Sequence, residues 1–180
     1  RKDWRIGFDP MLIDAALYDR LAVSAKRAGF TLVPVSKDPF DPIWPDRPEK
    51  PLGRIRPMSL SLSGETVAAK TARLGGKIED AGADMMAETL PDNIAWLLNL
   101  RGSDIAMNPV PQSFMVLNAD GAVDWFVDSR KLPNDLSAFE LDGIRLRPAE
   151  EFIPFVESAA PDRTVMIDQS FAPVALNVDD

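Results

Sequence analysis

Six of the 16 prolines in this chain fall between Lys37 and Pro57. Proline fixes φ and removes a backbone donor, so this segment cannot run through the interior of a helix or the centre of a sheet. Proline-rich segments of this kind form stiff, extended connectors. We therefore expect the chain to fold as two pieces, with residues 1–44 before a linker at residues 45–58, and residues 59–180 after it.

The first piece is predicted to be a single β-α-β unit. Apolar residues indicate one strand at Trp4–Asp9 and another at Phe30–Val35. Between them, Asp14 is placed to cap a helix that stops at Gly29. One such unit cannot bury both faces of its own sheet, so we expect it to need a further sheet or a partner surface.

The second piece alternates helices with strands along its whole length. This order favours an α/β fold in which helices cover both faces of a mixed sheet. The predicted helices are Ser63–Ala81, the segment from Pro91 to Gly102, Leu136–Leu141, Pro148–Ser158 and Phe171–Leu176, and the predicted strands are Asp84–Thr89, Gln112–Asn118, Val123–Asp128, Gly143–Leu146 and Thr164–Ile167.

The amphipathic helix predicted at Ser63–Ala81 contains Gly75 and Gly76 in succession. Each glycine inside a helix costs about 1 kcal/mol relative to alanine. The pair therefore predicts a kink or a close backbone contact at this point, and the alternative is a helix that breaks there.

The helix predicted after Leu90 is apolar on nearly every side. Pro91 suits its first position. We expect Trp96 to lie in the core, because the apolar residues of this helix leave no side that faces solvent. Gly102 is expected to end this helix. Arg101 would then lie at the C-terminal end, where a cation complements the helix dipole.

The composition excludes several classes of function. With 20 Lys and Arg against 28 Asp and Glu, the net charge of −8 argues against nucleic acid as a partner. The chain has no cysteine and no histidine, so thiol catalysis, disulfides, Ser-His-Asp triads and histidine zinc sites cannot be built from it. No stretch approaches the ~20 consecutive apolar residues that a membrane helix needs, so we expect no membrane association.

Carboxylates are the acid–base groups that remain in number. Asp92 and Asp104 flank the apolar helix, and Asp124 and Asp128 flank the second strand of a predicted hairpin. Two of Asp92, Asp104 and Asp124 in one pocket with raised pKa values would suit a carboxylate-only enzyme. Aspartates at helix starts and beside turns more commonly bond the local backbone, which is the competing interpretation.

A longer pattern surrounds the apolar helix. Residues Asp92 to Val110 read D-N-I-A-W-L-L-N-L-R-G-S-D-I-A-M-N-P-V. This string resembles the signature D-E-I-A-W-L-x-N-x-R-G-S-D-x-x-x-N-P-V of the long, three-domain Xaa-Pro aminopeptidases of the creatinase-like superfamily. Upstream, I-G-F-D-P at Ile6–Pro10 and I-W-P-D-R-P at Ile43–Pro48 resemble the end of the first domain of those enzymes and the linker after it.

The resemblance implies a creatinase N-terminal-like fold and a non-catalytic role. Residues 1–44 would be the remnant of a first domain, and residues 59–180 would be the middle domain of a cytoplasmic, homodimeric enzyme that removes the residue before proline. Two manganese ions would be held by a C-terminal catalytic domain outside this chain, which itself would carry no catalytic residue, metal ligand or cofactor. The chain opens without methionine, which fits a piece of a longer polypeptide.

The resemblance also marks three motif residues for the rim of the catalytic cleft, namely Arg101, Asp104 and Asn108. Arg101 and Asp104 are expected either to meet a peptide substrate there or to form a local ion pair. The family's aromatic residues near this point are replaced by Ala106, Pro111 and Gln112, which favours the structural role. The alternative function is a stand-alone binding module with the same fold and no peptidase activity.

Overall fold

The computed structural model describes residues 3–38 and 40–176. Their contacts divide the chain into two compact units. The first consists of Arg1–Lys50 together with Asp168–Asp180, and the second is Pro51–Ile167. The domain boundaries given by the sequence remain a prediction.

The first unit contains the β-α-β arrangement that the sequence predicts. Strand β1 (Trp4–Phe8) lies parallel to β2 (Phe30–Pro34), and helix α1 (Ala15–Ala28) connects them. The Asp14 carboxylate caps α1 by accepting from the Leu17 N–H at 2.7 Å. Both the cap and the strand pairing are therefore confirmed.

The C-terminal residues belong to the same unit. The Ala15 N–H donates to the Ala172 carbonyl at 3.0 Å, and the Val174 N–H donates to the Ile13 carbonyl at 2.8 Å. The helical turn predicted at Phe171–Leu176 is a 3-10 turn at Val174–Leu176. The sequence alone grouped these residues with the second piece, because backbone pairing between distant segments leaves no local pattern.

The second unit is built on a five-stranded mixed sheet, whose strands lie side by side in the order Ile144–Arg147 (β8), Val123–Phe126 (β7), Phe114–Asn118 (β6), Met85–Glu88 (β4) and Val165–Met166 (β9). Its inner pairs β7–β6 and β6–β4 are antiparallel, and its outer pairs β8–β7 and β4–β9 are parallel. The elements in chain order are β3 (Arg56–Pro57), α2 (Leu60–Ser63), α3 (Val67–Asp80), β4 (Met85–Glu88), α4 (Pro91–Leu97), β5 (Leu100–Arg101), β6 (Phe114–Asn118), β7 (Val123–Phe126), β8 (Ile144–Arg147), α5 (Phe152–Ala159) and β9 (Val165–Met166).

Helices cover both faces of this sheet, as the sequence predicts. On one face, Met115, Leu117 and Trp125 join the apolar residues of α3 and α4 in the main core. On the other face, the Phe114 ring stacks on Phe152 of α5 at 4.6 Å between centroids. Successive strand residues point to opposite faces, so each strand supplies both cores.

Helix α3 is continuous through its two glycines. A Cβ at Gly75 would lie 2.6 Å from the Ala119 carbonyl oxygen, so the predicted close backbone contact is confirmed and the predicted alternative of a break is wrong. The start of the helix was predicted too early. Thr66 caps α3 through the Ala69 N–H at 3.2 Å, and Ser63 belongs to the separate turn α2.

The apolar helix ends earlier than the sequence predicts. Helix α4 stops at Leu97, and Asn99 turns the chain with φ of 51°. Arg101 therefore lies in strand β5, opposite Arg56 of β3, and not at a helix end. Gly102 serves a different purpose from the one predicted, since a Cβ there would lie 2.5 Å from the Pro111 nitrogen.

The predicted core position of Trp96 is wrong, because 45% of this residue is exposed. Trp125 on β7 is the fully buried tryptophan. Helix α4 is only seven residues long and lies on the surface of the sheet, so one position of its apolar run faces outward.

The helix predicted at Leu136–Leu141 is also wrong, since these residues form turns. Six residues are too few to hold a helix without tertiary support. The Glu140 carboxylate instead accepts from the Val67 N–H at the start of α3, at 2.9 Å. Across the described residues, no helix has the length and hydropathy needed to cross a bilayer.

Candidate functional site

The loop from Gly102 to Gln112, called here the motif loop, is anchored by Asp104. One carboxylate oxygen accepts from the Gly53 N–H at 2.8 Å. The other accepts from the Gln112 N–H at 2.7 Å and from the Lys131 ammonium at 2.7 Å. The Asp104 side chain is 0% exposed and that of Lys131 is 6% exposed. The carboxylate therefore joins three separate segments at the base of the loop.

Close backbone packing restricts the same region. A Cβ at Gly53 would lie 2.5 Å from the Ser103 carbonyl carbon. Side chains larger than hydrogen are therefore excluded on this side of the loop, as they are at Gly102. The base of the motif loop is fixed by backbone contact as well as by charge.

The tip of the loop is exposed. Ile105 and Asn108 form an isolated β-bridge, and between them Met107 has φ of 66° and is fully exposed. The Asn108 amide donates to the Asp92 carboxylate at 3.3 Å, which connects the tip to the first turn of α4. Asn108 thus holds the loop against the helix, and its place at a cleft rim stays a prediction.

Arg101 does not pair with Asp104, so the predicted local ion pair is wrong. Lys131 takes that place, and the sequence gives no signal for it because Lys131 is 27 residues away. The Arg101 guanidinium donates to the carbonyl of its neighbour Leu100 at 2.7 Å. Whether Arg101 meets a peptide at a cleft also stays a prediction.

A second polar cluster surrounds the ammonium group of Lys70, next to Trp96. Lys70 of α3 is 1% exposed, and its ammonium donates to the Trp96 carbonyl and to the Asn99 side chain, each at 2.7 Å. The same ammonium lies 4.4 Å from the centroid of the Trp96 ring. Lys70 therefore satisfies the carbonyl at the end of α4 and fixes the Asn99 turn.

The pKa of Lys70 in this cluster lies below its ordinary value, mainly because the ammonium is buried. Burial lowers the pKa of Lys70, the nearby carboxylates of Glu65 and Glu140 raise it, and the cations Arg73 and Arg101 lower it further. Asn99 links the two sides by donating to the Glu65 carbonyl at 2.9 Å and to the Glu140 carboxylate at 3.3 Å. The sequence contains no signal for Lys70, which occupies an ordinary position in an amphipathic helix.

Asp124 is buried on the α5 face of the sheet. It accepts from Arg145 at 2.7 and 2.8 Å and from Arg147 at 2.7 Å. Burial alone would raise the pKa of Asp124, but the hydrogen bonds from both arginines hold that pKa below its ordinary value. On the next turn, hydrogen bonds from Arg130 lower the pKa of Asp128 to about 2.

The candidate carboxylates do not form an acid–base pair. Asp92 bonds Asn108, Asp104 bonds Lys131 and two backbone groups, and Asp124 bonds two arginines. Because the pKa of Asp124 is lowered, the raised value that a carboxylate-only enzyme requires is absent there, and that hypothesis is wrong for Asp124. Within residues 3–38 and 40–176, no group of three or more Asp or Glu is arranged to hold a metal ion.

A shallow groove of about 450 Å³ lies beside strand β8. Cationic, anionic and apolar side chains line it together. None of the motif residues contributes to it. The lining residues are Val127, Asp128, Ser129, Arg130, Leu132, Leu146, Arg147, Pro148 and Glu150.

Comparison with known proteins gives a consistent set of similarities. Residues 46–179 match the family model of the creatinase/prolidase N-terminal domain. The chain is 34% identical over 176 residues to aminopeptidase P2 of Arabidopsis thaliana, covering 96% of this chain and 25% of that protein. It is 35% identical over 131 residues to the Xaa-Pro aminopeptidase ApepP of Drosophila melanogaster, covering 72% of this chain and 21% of that protein.

A solved structure has the same fold. The X-prolyl aminopeptidase of Caenorhabditis elegans, described as a cytosolic enzyme with a di-nuclear active site, matches with a TM-score of 0.88 and 25% identity. The match covers 100% of this chain and 30% of that enzyme. The resemblance to Xaa-Pro aminopeptidases read from the motif is therefore confirmed, and the chain spans about a quarter of the length of the curated relatives it matches.

Proposed function

Because the chain belongs to the creatinase/prolidase N-terminal domain family, we propose that it is the non-catalytic N-terminal and middle region of a metal-dependent Xaa-Pro aminopeptidase. The observation that carries this proposal is the 34% identity to aminopeptidase P2 over 176 residues. Such an enzyme removes the N-terminal residue from peptides with proline in second position. The C-terminal catalytic domain of the same polypeptide would be the chief partner of this chain.

The metal centre of the parent belongs to that catalytic domain in our proposal. The Caenorhabditis elegans enzyme is di-nuclear and cytosolic, and we propose two manganese ions and a cytoplasmic location for the parent. The residues of this chain do not fit such a centre, since it has no histidine and its motif carboxylate Asp104 is already bonded to Lys131. No chemical step is therefore assigned to these residues.

The contribution of this chain would be to shape access to the cleft and to support a homodimer. Two features support this role. The motif loop has a rigid base at Asp104 and an exposed tip at Met107. An exposed loop on a rigid base is suited to contact a neighbouring domain or subunit. In the first unit, Ile6 on β1 is 41% exposed, which fits a sheet that further polypeptide covers.

The alternative function is a stand-alone binding module that keeps the fold without peptidase activity. The two functions predict different genes and different activities. An aminopeptidase requires a gene that also encodes a catalytic domain and a product that cleaves Xaa-Pro peptides, and a binding module requires neither. We expect the natural protein to contain a downstream domain with histidine and glutamate ligands, and to cleave Xaa-Pro peptides when supplied with manganese. A natural protein that lacks such a domain, or that has the domain and leaves Xaa-Pro peptides intact, would favour the binding module.

A further inference from the structure

Two arginines face each other across the ribbon formed by β3 and β5. Arg56 is directly opposite Arg101 in an antiparallel pair. Side chains of directly opposed residues point to the same side of a ribbon, with Cβ atoms about 5 Å apart. The inner side is occupied by Leu100, which is 1% exposed, so alternation places Arg56 and Arg101 on the other side, where Arg56 is exposed and Arg101 is half-buried.

A third arginine joins them. Ile55 is 3% exposed and its N–H donates to the Lys131 carbonyl at 2.9 Å. Its neighbours Arg54 and Arg56 are both exposed. The alternation places Arg54 on the same outward side as Arg56, so three arginines share one surface, called here the arginine ribbon.

Within the part of the chain that the structure describes, the charges of the arginine ribbon are not neutralised by acidic side chains. Of the residues that the structure describes, no aspartate or glutamate forms an ion pair with Arg54, Arg56 or Arg101. The chain has 28 acidic residues, and it pairs several other arginines with them. Like charges directly opposite on a ribbon destabilise it. An anion bound between these arginines would relieve their repulsion.

We infer that the arginine ribbon is a binding site for carboxylate groups of a polypeptide. The planar guanidinium group matches a carboxylate with two parallel hydrogen bonds, and two such groups side by side accommodate both of its oxygens. The net charge of −8 repels a long polyanion, so a short acidic segment fits this small cationic surface better than nucleic acid. The inference concerns this chain alone and does not depend on the proposed peptidase.

The test uses the 180-residue chain and three acetylated peptides in NMR titrations at low salt. The first peptide has a free C-terminal carboxylate and no acidic side chain. The second has two internal glutamates and a C-terminal amide, and the third is neutral. Acetylated peptides cannot be substrates of an aminopeptidase, so a failure here leaves the proposed function standing.

We expect the first or the second peptide to shift the signals of Arg56 and Arg101, with the neutral peptide causing no shift. Binding of the first peptide alone would identify peptide ends as the source of the carboxylate, and binding of the second alone would identify acidic side chains. The affinity should fall about tenfold in Arg56→Gln, the scale expected for one lost charge-assisted contact. It should not change in Lys77→Gln, which removes the same charge from an exposed position on α3.

Folding of the variants is not at risk, because Arg56→Gln removes a repulsion and should leave the melting temperature unchanged or higher. Arg56→Glu sharpens the test, since it places a carboxylate opposite Arg101 and should abolish peptide binding in a folded chain. Absence of binding by both carboxylate peptides would overturn the inference. Equal losses in Arg56→Gln and Lys77→Gln, or preferential binding of a single-stranded oligonucleotide, would also overturn it.

Discussion

The carboxylate of Asp104 and the ammonium of Lys131 form a 2.7 Å ion pair that is almost closed to solvent. Each partner also bonds backbone groups, and Lys131 donates to the Gln112 carbonyl at 2.9 Å. Asp104 of the sequence motif therefore has a structural role, which is to anchor the motif loop. This pairing explains why the motif loop keeps its shape although it lacks regular secondary structure.

Lys131→Met should destabilise the chain by about 3–5 kcal/mol, because it leaves the Asp104 charge buried without its partner. Urea denaturation at pH 7 measures the loss. Arg130→Met is the matched control, since Arg130 is the preceding residue and its side chain is 67% exposed in its ion pair with Asp128. Such pairs contribute little. Equal losses in the two variants would contradict the anchoring role.

The two glycines of α3 should respond in opposite directions to the same substitution. Gly76→Ala should stabilise by about 0.5–1 kcal/mol, because no atom lies near its added Cβ and alanine favours a helix. Gly75→Ala should destabilise by about 1–3 kcal/mol, because its Cβ would clash with the Ala119 backbone. Denaturation of both variants provides the comparison, and stabilisation by both would show that this contact is absent.

The two tryptophans should also differ. Trp125→Ala is expected to cost about 3–5 kcal/mol, because the ring is fully buried in the main core. Trp96→Ala should cost about 1 kcal/mol, mainly through the lost contact with the Lys70 ammonium. Guanidinium denaturation measures both values. A loss of stability in Trp96→Ala as large as that in Trp125→Ala would contradict the exposed position of Trp96 and indicate that it lies in the core.

The sequence predicts elements better than it predicts their ends and partners. The strands of the five-stranded sheet and the hairpin around Gly121 are found where apolar runs and turn chemistry place them, whereas the short strands β3 and β5 were not predicted. The end of α4 was missed because Asn99 takes a left-handed conformation that Lys70 stabilises from another helix. Local patterns contain no information about such a distant partner.

At the candidate site, too, the sequence predicts the residues better than it predicts their partners. The motif identified Arg101, Asp104 and Asn108 as a group, and the structure places all three in or beside one loop. It could not identify Lys131 as the partner of Asp104, nor Arg56 as the neighbour of Arg101, because both pairs are formed by the tertiary fold. Burial of a charged group is decided by distant segments and is not visible in composition.

Asp124 should make the stability of the chain depend on acid pH. Its folded-state pKa is below the ordinary value of 3.8, so its contribution is fully present above that value and is lost as pH falls through it toward the folded-state pKa. Asp124→Asn should therefore cost about 2–4 kcal/mol at pH 7, where two arginines lose their charged acceptor. The difference from the parent chain should shrink at pH 3. A difference that is constant between pH 7 and pH 3 would contradict the ion-pair account.

We propose that this chain supports an aminopeptidase without performing its chemistry. The most direct measurement is hydrolysis of an Xaa-Pro peptide by the folded 180-residue chain with added manganese, run beside the natural full-length protein. The account predicts no turnover by the chain alone and manganese-dependent turnover by the full-length protein. Turnover of the peptide by the isolated chain would contradict it.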